Sequence, residues 1–330
     1  MRAAFFEGPH SIRVREAEVL EPGPGQVRLR VRYCGICGSD ISLYKTGALA
    51  GPEMILGHEI SAVVESDPGG EWAPGTLVTA FPGGIGCGEC VWCKEGKPRY
   101  CAEAPQTYGG GFAEYTTVPA HTLLPVPDGL DDRAAALAEP LGVAVRGVEL
   151  AQPEPGDLAY VSGLGSLGLL SVAALVAAGC RVMGADPRGD RRTLGQDLGC
   201  EAVFDPAHED PIAATLRADP RGPRVVLECA GVPESLQQAF DVCGFEGTVG
   251  ILGIPMAPVF LLRMTLKDQR AFSIQGPTMD SMRRATDLLL AHSEIGKVIT
   301  ATVPLERIDD AFAALAAGEG GVKVLVEPGP

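Results

Sequence analysis

The stretch YVSGLGSLGLLSVAALVAAG, residues 160–179, decides how the rest of the chain is read. It runs from an apolar strand through Gly163-x-Gly165-x-x-Gly168 into an Ala/Leu-rich helix. In that context each glycine has a mechanical task. Gly163 makes the tight turn, Gly165 lets the backbone approach a pyrophosphate, and Gly168 lets the helix pack on the strand. The helix start, at Ser166 and Leu167, offers N–H groups and a positive dipole end to phosphates. A second strand, CRVMGAD, ends at Asp186, 18 residues after Gly168, where a carboxylate suits the adenosine ribose hydroxyls. That favours NAD over NADP, whose 2′-phosphate the same charge would repel. Arg188, Arg191 and Arg192 pull the other way; they read as helix-surface charges, with Arg191 also a candidate cofactor contact.

Working outward, strands and helices alternate downstream through AVF, RVVLECAG, GTVGILG and AFSIQG, the pattern of a parallel sheet covered on both faces. Upstream of residue 131 the chain changes character. QVRLRVRYC, ISAVVES, TLVTAF and AEYTTVPAHTLLPVP are short β-type runs separated by Gly/Pro turns. DDRAAALAEPLGVAVRGVEL then reads as a helix, with Asp131 or Asp132 as N-cap. The expected class is α/β: a β-rich domain over 1–140, a doubly wound dinucleotide domain over 141–277, and a tail over 278–330. The tail has helix, strand, helix and strand, and by pattern alone it either extends the sheet domain or returns to the first.

A length of 330 residues calls for two domains, and 46% hydrophobic with 21% charged residues is ordinary for a globular protein. The formal charge of −15 disfavours nucleic acid and anionic membranes as partners. No apolar run reaches the roughly 18 residues a membrane span needs, and no signal-like segment opens the chain, so a cytoplasmic location is expected.

Ten cysteines without a secretion signal point to metal rather than disulfides. CGECVWCKEGKPRYC places Cys87, Cys90, Cys93 and Cys101 as C-x2-C-x2-C-x7-C. Four thiolates complete a tetrahedral zinc shell, so this ion is structural; an iron–sulfur cluster is the lesser alternative. CGICGSD, residues 34–40, could be a redox dithiol, half a metal site or two small core residues. Cys37 with His58 and Glu59 of LGHE makes a plausible open zinc site, and Glu139 of AEPL supplies a second carboxylate.

Taken together, GICGSD, LGHE, the four-cysteine lobe, GGFAEY, VPDGL, AEPL and GLGSLG resemble the zinc-dependent medium-chain alcohol/polyol dehydrogenases in order and over essentially the whole chain. The resemblance implies a GroES-like catalytic domain, a Rossmann domain and a tail that returns to the first domain. It implies a catalytic zinc on Cys37, His58 and Glu59 or Glu139, a second, structural zinc, and NAD as hydride acceptor. Ser39 would accept the substrate hydroxyl proton, Asp40 would support the zinc shell, and Cys34 would be a core residue. A small polar hydroxylated substrate, no nucleic-acid or membrane partner, and a homodimer or homotetramer are expected.

Many alcohol dehydrogenases carry a relay histidine where this chain has Ser42. Serine holds no proton near neutral pH, so an imidazole relay is absent. With Glu139 in place of a third cysteine, this resembles the polyol, sugar and cyclitol branch, and ICGSDISLY is similar to aminocyclitol dehydrogenases. The alternatives are a simple alcohol/aldehyde dehydrogenase and a catalytically idle binding or structural relative.

Overall fold

The computed structural model describes all residues except 49–50, 52, 82–88, 96, 98–99, 104–108, 255–257 and 330. The chain divides into two units, one of residues 1–139 with 299–330, the other of residues 140–298.

The first unit opens with a hairpin of β1 (Arg2–Gly8) and β2 (Ser11–Glu16). There follow β3 (Gln26–Gly35), α1 (Gly38–Thr46), β4 (Glu59–Ser66), β5 (Leu77–Ala80), α2 (Val91–Lys94), β6 (Tyr115–Pro119), β7 (Leu123–Pro125) and α3 (Asp132–Ala135). QVRLRV shows why β3 is a strand with one buried face. Val27, Leu29 and Val31 alternate with Gln26, Arg28 and Arg30, and all three aliphatic side chains are in the core. Each contributes about 1.5–3 kcal/mol by leaving water.

The helix expected over residues 131–150 is two helices. After α3, α4 (Ala138–Ala151) starts afresh. Pro140 explains the break, because its ring would collide with the carbonyl four residues back in a continuous helix, whereas a first turn accommodates it. Asp131 caps α3 by accepting the Arg133 N–H at 3.1 Å.

In the second unit come β8 (Leu158–Ser162), α5 (Ser166–Ala177), β9 (Arg181–Ala185), α6 (Gly189–Asp197), β10 (Cys200–Phe204), α7 (Pro211–Ala218) and β11 (Val225–Glu228). After them come α8 (Pro233–Val242), β12 (Thr248–Ile251), α9 (Leu262–Leu266), β13 (Arg270–Ser273) and α10 (Met279–Ala291). All adjacent strands are parallel in the order β10-β9-β8-β11-β12-β13. This is the doubly wound arrangement, with its winding reversed between β8 and β11. β8 is buried along its whole length, as covering on both faces requires. Helix α5 buries every residue from Gly168 to Leu175, the reason its sequence is apolar nearly all round.

The chain re-enters the first unit with β14 (Ile299–Pro304), α11 (Ile308–Ala316) and β15 (Lys323–Glu327). The tail expected from residue 278 therefore leaves α10 in the second unit. β15 pairs antiparallel with β3, giving the strand path β14-β15-β3-β4-β5-β7 with β6 alongside β3. Among the described residues no helix is long and apolar enough to cross a membrane.

Candidate active site

The first unit's polar cluster forms where three strands meet. Gly35, at the end of β3, is opposite Glu59 at the start of β4 and Leu325 of β15. The chain then enters α1 at Cys37, an extended N-cap with φ −90° and ψ 157°. Asp40 accepts the Cys37 N–H at 3.0 Å on Oδ2, closing the first turn. That local geometry presents the Cys37 thiol toward the neighbouring strand. The ligand atoms of Cys37, His58 and Glu59 all lie within 4.8 Å of one another. Ser39 is half-buried in the same turn, and Ser42 is exposed one turn later. Cys34 is in the core, where burial pushes its thiol pKa well up.

The charges around the cluster are arranged in pairs. His58 Nδ1 lies 3.6 Å from Asp40 Oδ1. Burial works against the imidazolium, but Asp40 and then Cys37 outweigh it and hold the His58 pKa well above its ordinary value. Lys323, the first residue of β15, donates from Nζ to both Glu59 oxygens at 2.7 and 2.6 Å and to the Ile36 carbonyl at 3.0 Å. Glu59 and Lys323 are both buried. Burial opposes the lysine charge, yet Glu59 foremost raises its pKa. Glu139, in the first turn of α4, is 5% exposed, and its pKa is pushed up to about 7, chiefly by burial. Two carboxylates thus sit in unlike surroundings, one neutralised by an ammonium and one desolvated. Lys323 is a functional neighbour that no motif marks; its one sequence signal is a lysine inside the apolar run VKVLV.

This donor set suits zinc. A thiolate, an imidazole and a carboxylate from three positions leave a tetrahedral ion one open place, and a carboxylate facing the imidazole's second nitrogen is the usual support.

A second group joins Cys90, Cys93 and Cys101, again within 4.8 Å. Cys90 and Cys93 sulfurs are 3.5 Å apart across α2. The fourth expected ligand, Cys87, lies outside the described residues. All-thiolate donors in one loop are the chemistry of a structural ion.

In the second unit Gly163 turns at φ +88°, and a Cβ there would lie 2.7 Å from Ala230. A Cβ on Gly168 would be 1.8 Å from the Gly163 carbonyl, so helix and turn meet only because the position is bare. Ser166 and Leu167 begin α5 just beyond. Asp186, 3% exposed, accepts the Leu164 N–H at 2.9 Å on Oδ2 and the Arg188 N–H at 2.9 Å on Oδ1. It therefore also fastens the glycine turn to the end of β9, a task the sequence did not reveal. Arg192 bonds the Asp186 carbonyl at 2.7 Å and pairs with Asp205, while Arg188 pairs with Asp190. Arg191 approaches Asp186 at 3.4 Å, and its Nη1 would lie 3.8 Å from a Cβ on Gly165. The bare turn with a guanidinium beside it fits a dinucleotide's phosphates.

Comparison with known proteins agrees with this geometry. Residues 23–128 match the alcohol dehydrogenase GroES-like domain and residues 166–291 the zinc-binding dehydrogenase domain. L-threonine 3-dehydrogenase of Pyrococcus horikoshii is 31% identical over 94% of both chains. The 2-dehydro-3-deoxy-L-galactonate 5-dehydrogenase of Pseudoalteromonas atlantica is 30% identical over 99% of this chain and 98% of its own. A structure from Sinorhizobium meliloti 1021, described as a zinc-binding dehydrogenase bound to NADP, superposes with a TM-score of 0.90 at 32% identity over 99% of each chain. With its GroES-like and doubly wound parts both matched along the chain, the protein belongs to the zinc-dependent medium-chain alcohol/polyol dehydrogenase family, oxidoreductases that use a nicotinamide cofactor.

Proposed function

We propose that the protein oxidises a secondary hydroxyl of a polyol, sugar or cyclitol to a ketone with NAD. The observation that carries this is the grouping of half-buried Cys37 with buried His58 and Glu59, with Glu139 as a second, desolvated carboxylate. The two enzyme relatives support the secondary-alcohol chemistry, since position 3 of L-threonine and position 5 of the galactonate are both secondary carbinols, and the second is a sugar acid. In this reading residues 1–139 with 299–330 are catalytic and residues 140–298 hold the cofactor.

Cys37, His58 and either Glu59 or Glu139 would hold the catalytic zinc; Cys87, Cys90, Cys93 and Cys101 would hold a second, structural zinc. Bound, the catalytic ion supplies Lewis acidity that lowers a hydroxyl pKa, and the nicotinamide supplies the hydride acceptor. The chain's own residues do the rest. Asp40 holds the Cys37 amide with one oxygen and faces the His58 ring with the other, so one carboxylate supports two ligands. Ser39 Oγ accepts the substrate proton by hydrogen bond. With Ser42 where a relay histidine would stand, the proton leaves through water or through whichever of Glu59 and Glu139 does not hold the ion. Lys323 neutralises Glu59 and favours Glu139 as the acidic ligand.

Asp186 favours NAD, and Arg191 beside Gly165 serves the phosphates. A homodimer or homotetramer accords with β13 as the outer strand of its sheet and with the exposed Phe260, Leu262 and Leu266 nearby in sequence.

A screen of polyols, sugars and cyclitols against NAD and NADP, read as reduced cofactor at 340 nm, tests the proposal. Turnover of a secondary polyhydroxyl compound with NAD is expected; turnover of primary alcohols alone would overturn it.

A further inference from the structure

The last residue of β11, Glu228, is fully buried and belongs to none of the groups assigned above. It lies at the winding reversal. In register it faces Ser162 at the end of β8 on one side and Ile251 at the end of β12 on the other. In such sheets a dinucleotide lies outside the carboxyl ends of the strands at this point. The glycine turn follows β8 and Asp186 follows β9, so the adenosine half takes that side. The nicotinamide half is left with the side of β11 and β12.

Glu228 organises that edge. Its Oε1 accepts the Ala230 N–H at 2.9 Å, the Gly231 N–H at 2.7 Å and the Ser235 hydroxyl at 2.7 Å. Its backbone carbonyl accepts the Leu252 and Gly253 N–H groups, both at 2.9 Å. Its Oε2 is buried with no hydrogen-bond partner among the described residues, and a Cβ on Gly253 would come within 2.7 Å of it. The same Cβ would lie 2.7 Å from the Gly231 nitrogen, and one on Gly163 would lie 2.7 Å from Ala230. Three turns, after β8, β11 and β12, are therefore packed together around one carboxylate. Among the described residues the Glu228 side chain accepts every one of its hydrogen bonds and donates none, the arrangement an ionised carboxylate takes.

A rigid carboxylate at this edge does two separable things. It holds the turns, which serves oxidised and reduced cofactor alike. It also places a weakly screened negative charge where the two forms differ, since the oxidised ring is cationic and the reduced ring neutral. We propose that Glu228 is a positioning residue whose charge biases the second unit toward the oxidised nicotinamide, favouring substrate oxidation and release of the reduced cofactor. It can act this way only if the second unit holds a nicotinamide dinucleotide, as proposed above.

The test is a pair of titrations on the full-length, zinc-loaded protein, with NAD⁺ by calorimetry and NADH by its fluorescence. Glu228→Gln keeps the shape and removes the charge; it is expected to weaken NAD⁺ about tenfold relative to NADH. Glu228→Asp keeps the charge and is expected to hold the ratio of the two dissociation constants within about twofold of wild type. Val232→Lys, at the exposed N-cap of α8, counters the charge from outside the core. It is expected to shift the ratio the same way by about threefold, and so decides the matter if the glutamine variant does not fold. Equal weakening of both forms by Glu228→Gln, or an unmoved ratio in Val232→Lys, would overturn the proposal and leave Glu228 a purely structural brace. Wild-type protein that binds neither dinucleotide would instead refute the nucleotide reading itself.

Discussion

Among the described residues, the two groups of metal-type ligands are built on opposite principles. Cys37 stands among side chains delivered by β4, α1 and β15, with Glu59 paired to Lys323 and Asp40 facing His58, nearly all of it buried. Cys90, Cys93 and Cys101 come from one stretch of loop around the four-residue α2, which has no buried residue of its own; Trp92 and Tyr100 beside them are 42% and 43% exposed. The first cluster is held by the fold, so an ion there would be available for chemistry, as proposed above. The second, among the described residues, is mostly exposed, so an ion there would be architecture. Removing metal from the two places should therefore have different consequences.

The sharpest break of this contrast is at Cys37. Cys37→Ser is expected to lower kcat/KM by more than about 10³-fold, since an open Lewis-acid site contributes several kcal/mol to the barrier. Its melting temperature should stay close to wild type; retention of a tenth of the activity would show that the buried cluster is not the reactive one. Next comes Lys323→Met, which strands the Glu59 charge in the core. Urea unfolding should show a loss of about 3–5 kcal/mol. The same change at the exposed Lys97, paired with Glu95, should cost under about 1 kcal/mol. Equal losses at the two sites would mean that the fold does not distinguish them.

Asp40→Asn leaves the ligands in place but weakens their support. Zinc affinity, measured by chelator competition, is expected to fall about 10–100-fold. The smallest effect on chemistry belongs to the lobe. If the chain holds the two zinc ions proposed above, Cys93→Ser should remove one of them by atomic absorption and lower the melting temperature. The turnover of the remaining folded protein should stay within about threefold. A collapse of turnover at full folding would tie the lobe to catalysis.

Local spacing explains how much of the site was readable in advance. The glycine turn works through residues within one strand–turn–helix unit, and the thiols of the lobe follow one another in a single loop. Cys37, His58, Glu59 and Glu139 were legible as residue types suited to zinc, although no spacing joins them. The single helix expected over 131–150 missed the restart at Ala138, where Pro140 in the sequence already carried the warning. Lys323 stood out only as a lysine in an apolar run, and its partner was not legible. It is 264 positions from Glu59, and a lysine in an apolar strand has no periodicity to announce its partner.

The sequence by itself determined the α/β class, the dinucleotide turn and the kinds of atoms offered to metal, because turns, caps and ligand spacings depend on neighbours in the chain. Only the tertiary structure decided which charges meet. The antiparallel pairing of β15 with β3 brings Lys323 to Glu59, and the parallel register of β8, β11 and β12 gathers three turns around Glu228. Both results come from strand pairing between distant segments, where burial makes every unpaired charge costly and so selects the partners.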